Sequence, residues 1–96
     1  MYFVYILTNR NNTVIYIGVT NDIRRRIMEH MKKEIDGFTK KYNVSKLVYF
    51  EEYSDINDAI KREKQLKHWS RMKKNQLVEA KNPDWNDIGT ELLGMF

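Results

Sequence analysis

The chain has 96 residues, with 17 Lys and Arg against 13 Asp and Glu and no cysteine. This length provides one hydrophobic core, and the absence of thiols excludes disulfides, cysteine-ligated metals and thiol catalysis. The longest apolar run, Met1–Leu7, lacks a basic leader and is far shorter than the roughly 20 residues of a membrane-spanning helix, so we expect a cytoplasmic protein with no membrane segment.

The first part of the chain predicts a β-hairpin followed by a helix. Tyr2–Thr8 and Thr13–Val19 are rich in β-branched and aromatic residues, and an asparagine-rich turn separates them. An Asn-Asp pair then provides capping side chains for a helix over Ile23–Ile35, in which apolar residues recur at helical spacing. Gly37, after Asp36, is expected to end this helix.

The second part of the chain predicts a strand and two helices. Lys46–Tyr53 has the composition of a third strand. Ser54 or Asp55 caps a helix that reaches about Trp69, and a further short helix runs to about Lys81 before a proline stops it.

The element order ββαβαα indicates an α+β domain with a small, mostly antiparallel three-stranded sheet flanked by helices. We expect this domain to occupy residues 1–85. Residues 86–96 are interpreted as a C-terminal tail that can pack on the domain through its leucines. No sequence feature sets an oligomeric state, and a monomer is the default expectation.

Basic residues are concentrated in two segments, a distribution that is typical of proteins that bind polyanions. For any single residue, solvation of an exposed helix face is the simpler explanation, but the two clusters together favour nucleic acid. The candidate nucleic-acid-binding residues are Arg24, Arg25, Lys61, Lys64, Lys67, Arg71, Lys73 and Lys74.

Glu63 breaks the apolar pattern of its predicted helix. It falls on the same helix face as Ala59 and Ile60, where a carboxylate is costly unless a cation or hydrogen bonds compensate. A salt bridge to a neighbouring Lys or Arg is the simpler explanation. The alternative is that Glu63 lies at the floor of a cleft and binds a divalent cation, which prefers oxygen ligands.

Two tyrosines and a glycine share one face of the predicted hairpin. If the hairpin turns midway between residues 10 and 11, Tyr5 and Tyr16 lie directly opposite each other. Cross-strand packing is the simpler explanation for this pair. Gly18 lies on the same face and is expected to leave room for a ligand near the backbone.

Arg26 and His30 are four residues apart and lie together along one edge of the apolar stripe of the first helix. Both can point at a site beside the helix, or they can form an ordinary amphipathic boundary.

Five sequence features occur in order along the chain: Val4-Tyr5-Ile6, Tyr16-Ile17-Gly18, Arg26, His30 and Glu63. In order and spacing they resemble the GIY-YIG nuclease domain over nearly the whole chain. The segments Glu63–Lys67 and Asn82–Trp85 are similar to the small, stand-alone bacterial branch of that family. The first motif differs from Gly-Ile-Tyr but keeps the tyrosine, and Val19 stands where many members have a lysine.

The resemblance implies a metal-dependent endonuclease that hydrolyses DNA phosphodiester bonds in DNA repair or processing. It implies catalytic roles for Tyr5, Tyr16, Arg26 and His30, and assigns Glu63 to one Mg²⁺ or Mn²⁺ ion that binds weakly without substrate. An asparagine closes the site in several members, and both Asn75 and Asn82 are candidates for that position.

The chain has no separate DNA-recognition domain, so we expect DNA, with RNA not excluded, to be selected by structure, such as single strands or branches. Tyr42, Trp69 or Trp85 could stack on unpaired bases, although core packing is the more common use of such residues. Two alternatives stay open: a catalytically weak nucleic-acid-binding module with the same fold, and a protein-interaction domain with an acidic partner.

Overall fold

The computed structural model describes residues 1–32 and 37–94, which form a three-stranded antiparallel sheet with helices on both faces. The strands lie in the order β2-β1-β3, so β2 and β3 are the edges of the sheet. The elements are β1 (Tyr2–Thr8), β2 (Ile15–Thr20), α1 (Ile23–Met31), α2 (Gly37–Tyr42), β3 (Lys46–Tyr53), α3 (Ile56–His68), α4 (Arg71–Glu79) and α5 (Gly89–Leu93). The predicted α+β class and the antiparallel sheet are confirmed. No helix in the described ranges is long and apolar enough to cross a bilayer.

Two short helices were not predicted, so the observed order is ββααβααα. The helices α2 and α5 have 6 and 5 residues, too few to give a helical repeat in the sequence. Gly37 was expected to end the first helix, but it is the first residue of α2. The first helix ends at Met31, and Lys32 caps it. Residues 33–36, which include the predicted end of that helix, and residues 95 and 96 of the predicted tail lie outside the described residues.

The hairpin register differs from the predicted one by two residues. Tyr5 lies opposite Gly18, and Leu7 lies opposite Tyr16. The β1–β2 loop is centred one residue further along the chain because the Asn9 side chain accepts hydrogen bonds from two loop amides, at 2.9 and 3.1 Å. A shift by two residues keeps every side chain on its face of the sheet, so both tyrosines still lie on the same face.

The length suggested one hydrophobic core, but the sheet has a core on each face, because helices cover both of its faces. On one face, residues of all three strands pack against α3 and α4; this core consists of Val4, Ile6, Ile17, Val48, Tyr49, Ala59, Leu66 and Val78. On the other face, α1 and the segment that ends in α5 cover a core formed by Tyr5, Leu7, Ile23, Ile27, Val44 and Leu47. Residues of opposite faces alternate along β1, which explains why this strand is buried almost throughout.

An ion pair with added hydrogen bonds fixes α3 on β3. Arg62 donates from Nε and Nη2 to the two carboxylate oxygens of Glu51, at 2.9 and 3.0 Å. The hydroxyl groups of Tyr49 and Tyr53 donate to the same carboxylate, at 2.5 and 2.7 Å. Since Glu63 directly follows Arg62, this network sets the rotation of the helix that presents Glu63.

Replacement of Glu51 by Gln tests this network. Burial raises the pKa of Glu51, but hydrogen bonds from Arg62, Tyr49 and Tyr53 outweigh it, and the net pKa lies below its usual value. Such a group contributes stability above its unfolded-state pKa that is lost as the pH falls through the folded-state value. We expect Glu51→Gln to lower the free energy of unfolding at pH 7 by about 2 kcal/mol.

The difference in stability between the variant and the wild type should begin to shrink near pH 4, where the unfolded-state carboxyl takes up a proton. It should vanish only below the lower folded-state pKa, where Glu51 is neutral in both states. Urea unfolding between pH 3 and pH 8 measures the difference. A difference that stays constant over this range would contradict the role of the carboxylate charge.

Candidate active site at the edge strand

Tyr5 lies directly over the backbone of Gly18. A Cβ atom at position 18 would be 2.5 Å from Tyr5 Oη and 2.6 Å from Tyr5 Cζ, closer than any van der Waals contact. The phenol of Tyr5 therefore fills the space that the missing side chain leaves. The expectation that this space accepts a ligand is wrong, because the protein itself occupies it.

Two tyrosines and a histidine form a cluster between the sheet and α1. His30 is 2% exposed, and its Nε2 lies 3.4 Å from Tyr5 Oη in a hydrogen bond. The ring centroid of Tyr16 is 5.6 Å from that of His30 and 6.3 Å from that of Tyr5. The structure thus brings three of the predicted catalytic side chains into contact, one from each of β1, β2 and α1.

Arg26 lies one helical turn before His30 on α1, and its side chain is partly exposed. Its Nε is 3.3 Å from Oε1 of Glu29, an ion pair without hydrogen-bond geometry. Ion pairs between partly exposed groups contribute little to stability. The guanidinium also has a buried Nε that makes no hydrogen bond, so it keeps a donor for an anion that replaces this weak partner.

A cleft of about 260 Å³ opens beside the edge strand β2. Tyr16 and Phe38 line it from the face covered by α1, and their ring centroids are 6.2 Å apart. Lys67 of α3 and Lys74 of α4 line it from the other side. Because β2 is an edge, groups from both faces of the sheet reach one opening.

Glu63 does not line the cleft, but it contacts Lys67, which does. Its side chain is 17% exposed, and its Oε2 lies 3.4 Å from Nζ of Lys67, which is half exposed. The salt bridge, the simpler of the two explanations for this carboxylate, is thus present. A single contact of this length in a solvent-accessible place is weak, and it leaves the carboxylate able to exchange its partner.

The donor chemistry around Glu63 can be compared with the needs of a divalent cation. Among residues 1–32 and 37–94, no group of three or more His, Asp and Glu side chains could hold a metal ion. Mg²⁺ usually takes one or two carboxylates and completes its shell with water and substrate phosphates. A partly exposed carboxylate beside an open cleft fits one weakly held ion of this kind.

The two candidate asparagines lie in different parts of the fold. Asn75 accepts a hydrogen bond from Arg71 Nε at 2.9 Å, and Arg71 also donates to two carbonyls of the β1–β2 loop. Asn82 is buried and donates to the carbonyl of Val48 on the opposite edge strand, at 3.0 Å. The structure therefore places Asn75 on the side of the β1–β2 hairpin and Asn82 beside β3.

The basic residues of the predicted nucleic-acid surface differ in their contacts. Lys67 and Lys74 line the cleft, whereas the guanidinium of Arg71 is used to hold the β1–β2 loop. Lys73 lies over the ring of Trp69, with Nζ 4.3 Å from the centroid. The remaining candidates are exposed on α1 and α3; they are Arg24, Arg25, Lys61 and Lys64.

Phe38 lines the cleft but was not predicted from the sequence. It has no place in a helical repeat because α2 is so short, and it belongs to none of the motifs. The one signal in the sequence is an isolated aromatic residue within a polar segment that is rich in lysine.

Replacement of Gly18 by Ala tests the Tyr5 contact. The new methyl group must push the buried phenol away, so we expect a loss of about 1–3 kcal/mol in the free energy of unfolding. In a Tyr5→Leu background, which removes both Cζ and Oη, the same replacement should cost much less. Urea unfolding of the wild type, the two single variants and the double variant gives the interaction free energy between positions 5 and 18. Equal losses of stability in both backgrounds would contradict the contact.

The sequence of this chain matches a known protein family and several of its members. Residues 1–76 match the GIY-YIG catalytic domain. The chain is 36% identical over 83 residues to a UPF0213 protein of Syntrophus aciditrophicus, which covers 85% of this chain and 93% of that protein. It is 35% identical over 78 residues to a UPF0213 protein of Haloquadratum walsbyi, which covers 81% of this chain and 86% of that one.

The fold is also similar to a solution NMR structure of a UPF0213 protein from Bacillus halodurans. The TM-score is 0.58 at 31% sequence identity, and the match covers 94% of this chain and 96% of that chain. The chain therefore belongs to the GIY-YIG family of nuclease domains.

Proposed function

We propose that this protein is a divalent-metal-dependent endonuclease that hydrolyses DNA phosphodiester bonds and selects substrates by structure. The observation that carries the proposal is the contact of Tyr5, Tyr16 and His30 beside a cleft that Lys67 also lines. Glu63 is paired with that lysine. The phenol of Tyr16 and the ammonium of Lys67 line the opening, and the imidazole and carboxylate each contact one of these two groups from behind. Together they are the kinds of acid–base and charge-stabilising groups that phosphodiester hydrolysis needs.

Positive charge at the cleft would position the scissile phosphate. Lys67 and Lys74 reach the opening from α3 and α4, although Val19 takes the position of the lysine that many family members have after the second motif. The Arg26 guanidinium can leave Glu29 and bind two phosphate oxygens with its planar fork, which an ammonium group cannot do. This contact would stabilise the negative charge of the transition state.

Of the two tyrosines, Tyr16 is better placed to meet a water molecule, because it lines the cleft whereas Tyr5 is buried. A phenol has an unperturbed pKa of about 10, so nearby positive charge is needed to make it a base. The attacking water would give its proton to Tyr16 as its oxygen bonds to phosphorus and the bond to the 3′ oxygen breaks. Tyr5 would hold His30 in place through their hydrogen bond.

Glu63 would hold the metal ion, which supplies polarisation of the phosphate and stabilisation of charge on the leaving oxygen when bound. Lys67 would then release the carboxylate and pair with a phosphate oxygen instead. Asn75, on the hairpin side of α4, is our choice for the asparagine that closes the site.

Binding that does not depend on base sequence is supported by the two lysines that line the cleft, because their contacts are to backbone phosphates. Such contacts hold single strands and duplexes alike. The preference that we propose, for single strands or branches as they arise in DNA repair and processing, therefore needs a further group that contacts unpaired bases.

Loss of Glu63 or Arg26 should abolish cleavage and spare binding. We expect Glu63→Gln and Arg26→Lys to slow cleavage about 100-fold or more, because each removes a group that acts mainly in the transition state. Binding to the same oligonucleotide without metal should stay within about twofold, since Lys67 and Lys74 remain. Gel assays with Mg²⁺ or Mn²⁺ and fluorescence anisotropy in EDTA measure the two quantities.

Glu52→Gln is the matched control, because Glu52 is an exposed carboxylate on the opposite edge strand. It should cleave like the wild type. Normal cleavage by Glu63→Gln would refute the assigned role. If the wild type binds single-stranded, duplex and flap DNA but cleaves none with either metal, the protein is a binding module instead.

Replacement of the cleft lysines should weaken binding to every DNA sequence alike. For Lys67→Met and for Lys74→Met, the slope of log affinity against log salt should fall by about one each, because one phosphate contact is lost. Lys81→Met, near Tyr49 and away from the cleft, is the control and should keep the wild-type slope. An unchanged slope in the two cleft variants would show that the backbone binds elsewhere.

A further inference from the structure

The helix α2 presents two aromatic rings side by side at the surface. Phe38 is 43% exposed and Tyr42 is 41% exposed, and their ring centroids are 4.9 Å apart. Phe38 also lines the cleft, where its ring contacts Tyr16. A continuous row of rings thus leads from the catalytic cluster out to the surface.

The exposure of these rings sets them apart from the other aromatic residues that were considered for base stacking. Trp69 packs against the core, and Cζ of Arg62 lies over its ring, 5.1 Å from the centroid. Trp85 also packs against the core and donates to Glu79 at 2.8 Å. Both tryptophans pack against the core, whereas Phe38 and Tyr42 are adjacent rings that each expose more than two fifths of their surface, and contiguous exposed apolar surface of this kind is typical of binding sites.

The charges around the rings indicate the chemistry of that ligand. Lys40 and Lys41 are exposed on the same helix, and Nζ of Lys41 lies 5.4 Å from the centroid of the Tyr42 ring. Lys67 and Lys74 face Phe38 across the cleft. Rings interleaved with cations are the arrangement that binds single-stranded nucleic acid, since bases stack on the rings while the cations follow the phosphates.

We propose that Phe38 and Tyr42 form a stacking platform for unpaired bases of a DNA strand whose backbone lies in the cleft. The proposal rests on the proposed nuclease function and names what selects the substrate. Bases in a duplex have both faces covered by their neighbours and cannot stack on protein rings without being unstacked. The platform therefore favours single-stranded segments next to the scissile phosphate, whereas the lysines alone bind both forms.

Binding without metal separates the platform from catalysis. Fluorescence anisotropy in EDTA compares a labelled single strand, its duplex and a strand of the same length with several abasic sites. We expect Phe38→Leu and Tyr42→Leu each to weaken single-strand binding about five- to tenfold and to leave duplex binding within about twofold. The wild type should bind the abasic strand as weakly as a double variant with both leucine replacements binds the normal strand.

Ring-keeping variants control for damage to α2. Phe38→Tyr and Tyr42→Phe retain the stacking surface and should bind like the wild type, whereas a merely structural effect of the leucine variants would appear in their thermal unfolding. Ile56→Ala removes another exposed apolar side chain, at the start of α3, and should change neither form of binding.

The proposal would be refuted if the leucine variants lost equal affinity for the single strand and the duplex. It would also be refuted if the wild type bound the abasic strand with full affinity. Either result leaves metal-dependent cleavage by the wild type untouched. Conversely, a protein that discriminates strands through these rings but never cleaves would retain the platform and lose the proposed nuclease function.

Discussion

The close approach of Tyr5 to the backbone of Gly18 is the contact on which the candidate site depends. Any side chain at position 18 would overlap the phenol, so the ring can lie over the sheet only because that position is glycine. The same phenol bonds His30 and so ties α1 to the sheet at the point where Tyr16 also arrives. Glycine weakens a strand, and here its cost is offset by the position that it gives to the phenol that bonds His30.

Two charged neighbours on α3, Arg62 and Glu63, are held in different ways. Arg62 donates two short hydrogen bonds to Glu51, and two tyrosine hydroxyl groups complete the partners of that carboxylate. Glu63 has one longer contact, to the half-exposed Lys67. The first arrangement resists exchange and orients the helix, whereas the second is weak enough to exchange its partner, as the proposed function requires.

Local signals in the sequence were sufficient for the bounds of β1 and β3, because strand composition acts within a few residues. They also placed the cap of α3 at Ser54 or Asp55, and the structure shows that Asp55 is the cap. The resemblance of the motifs gave the family, which the match over residues 1–76 confirms. It also selected Tyr5, Tyr16 and His30, which the fold brings into contact. The catalytic roles of these residues and the metal-binding role of Glu63 remain predictions.

The sequence by itself determined which residue types this domain carries and which segments become strands and long helices, since both depend on neighbours along the chain. Only the tertiary structure decided the hairpin register, the two short helices, the separation of Asn75 from Asn82 and the place of Phe38 in the cleft. These features depend on loop geometry and on packing between segments that are distant in sequence. Such contacts leave no periodic signal, because the energy that fixes them exists only once the two faces of the sheet are covered.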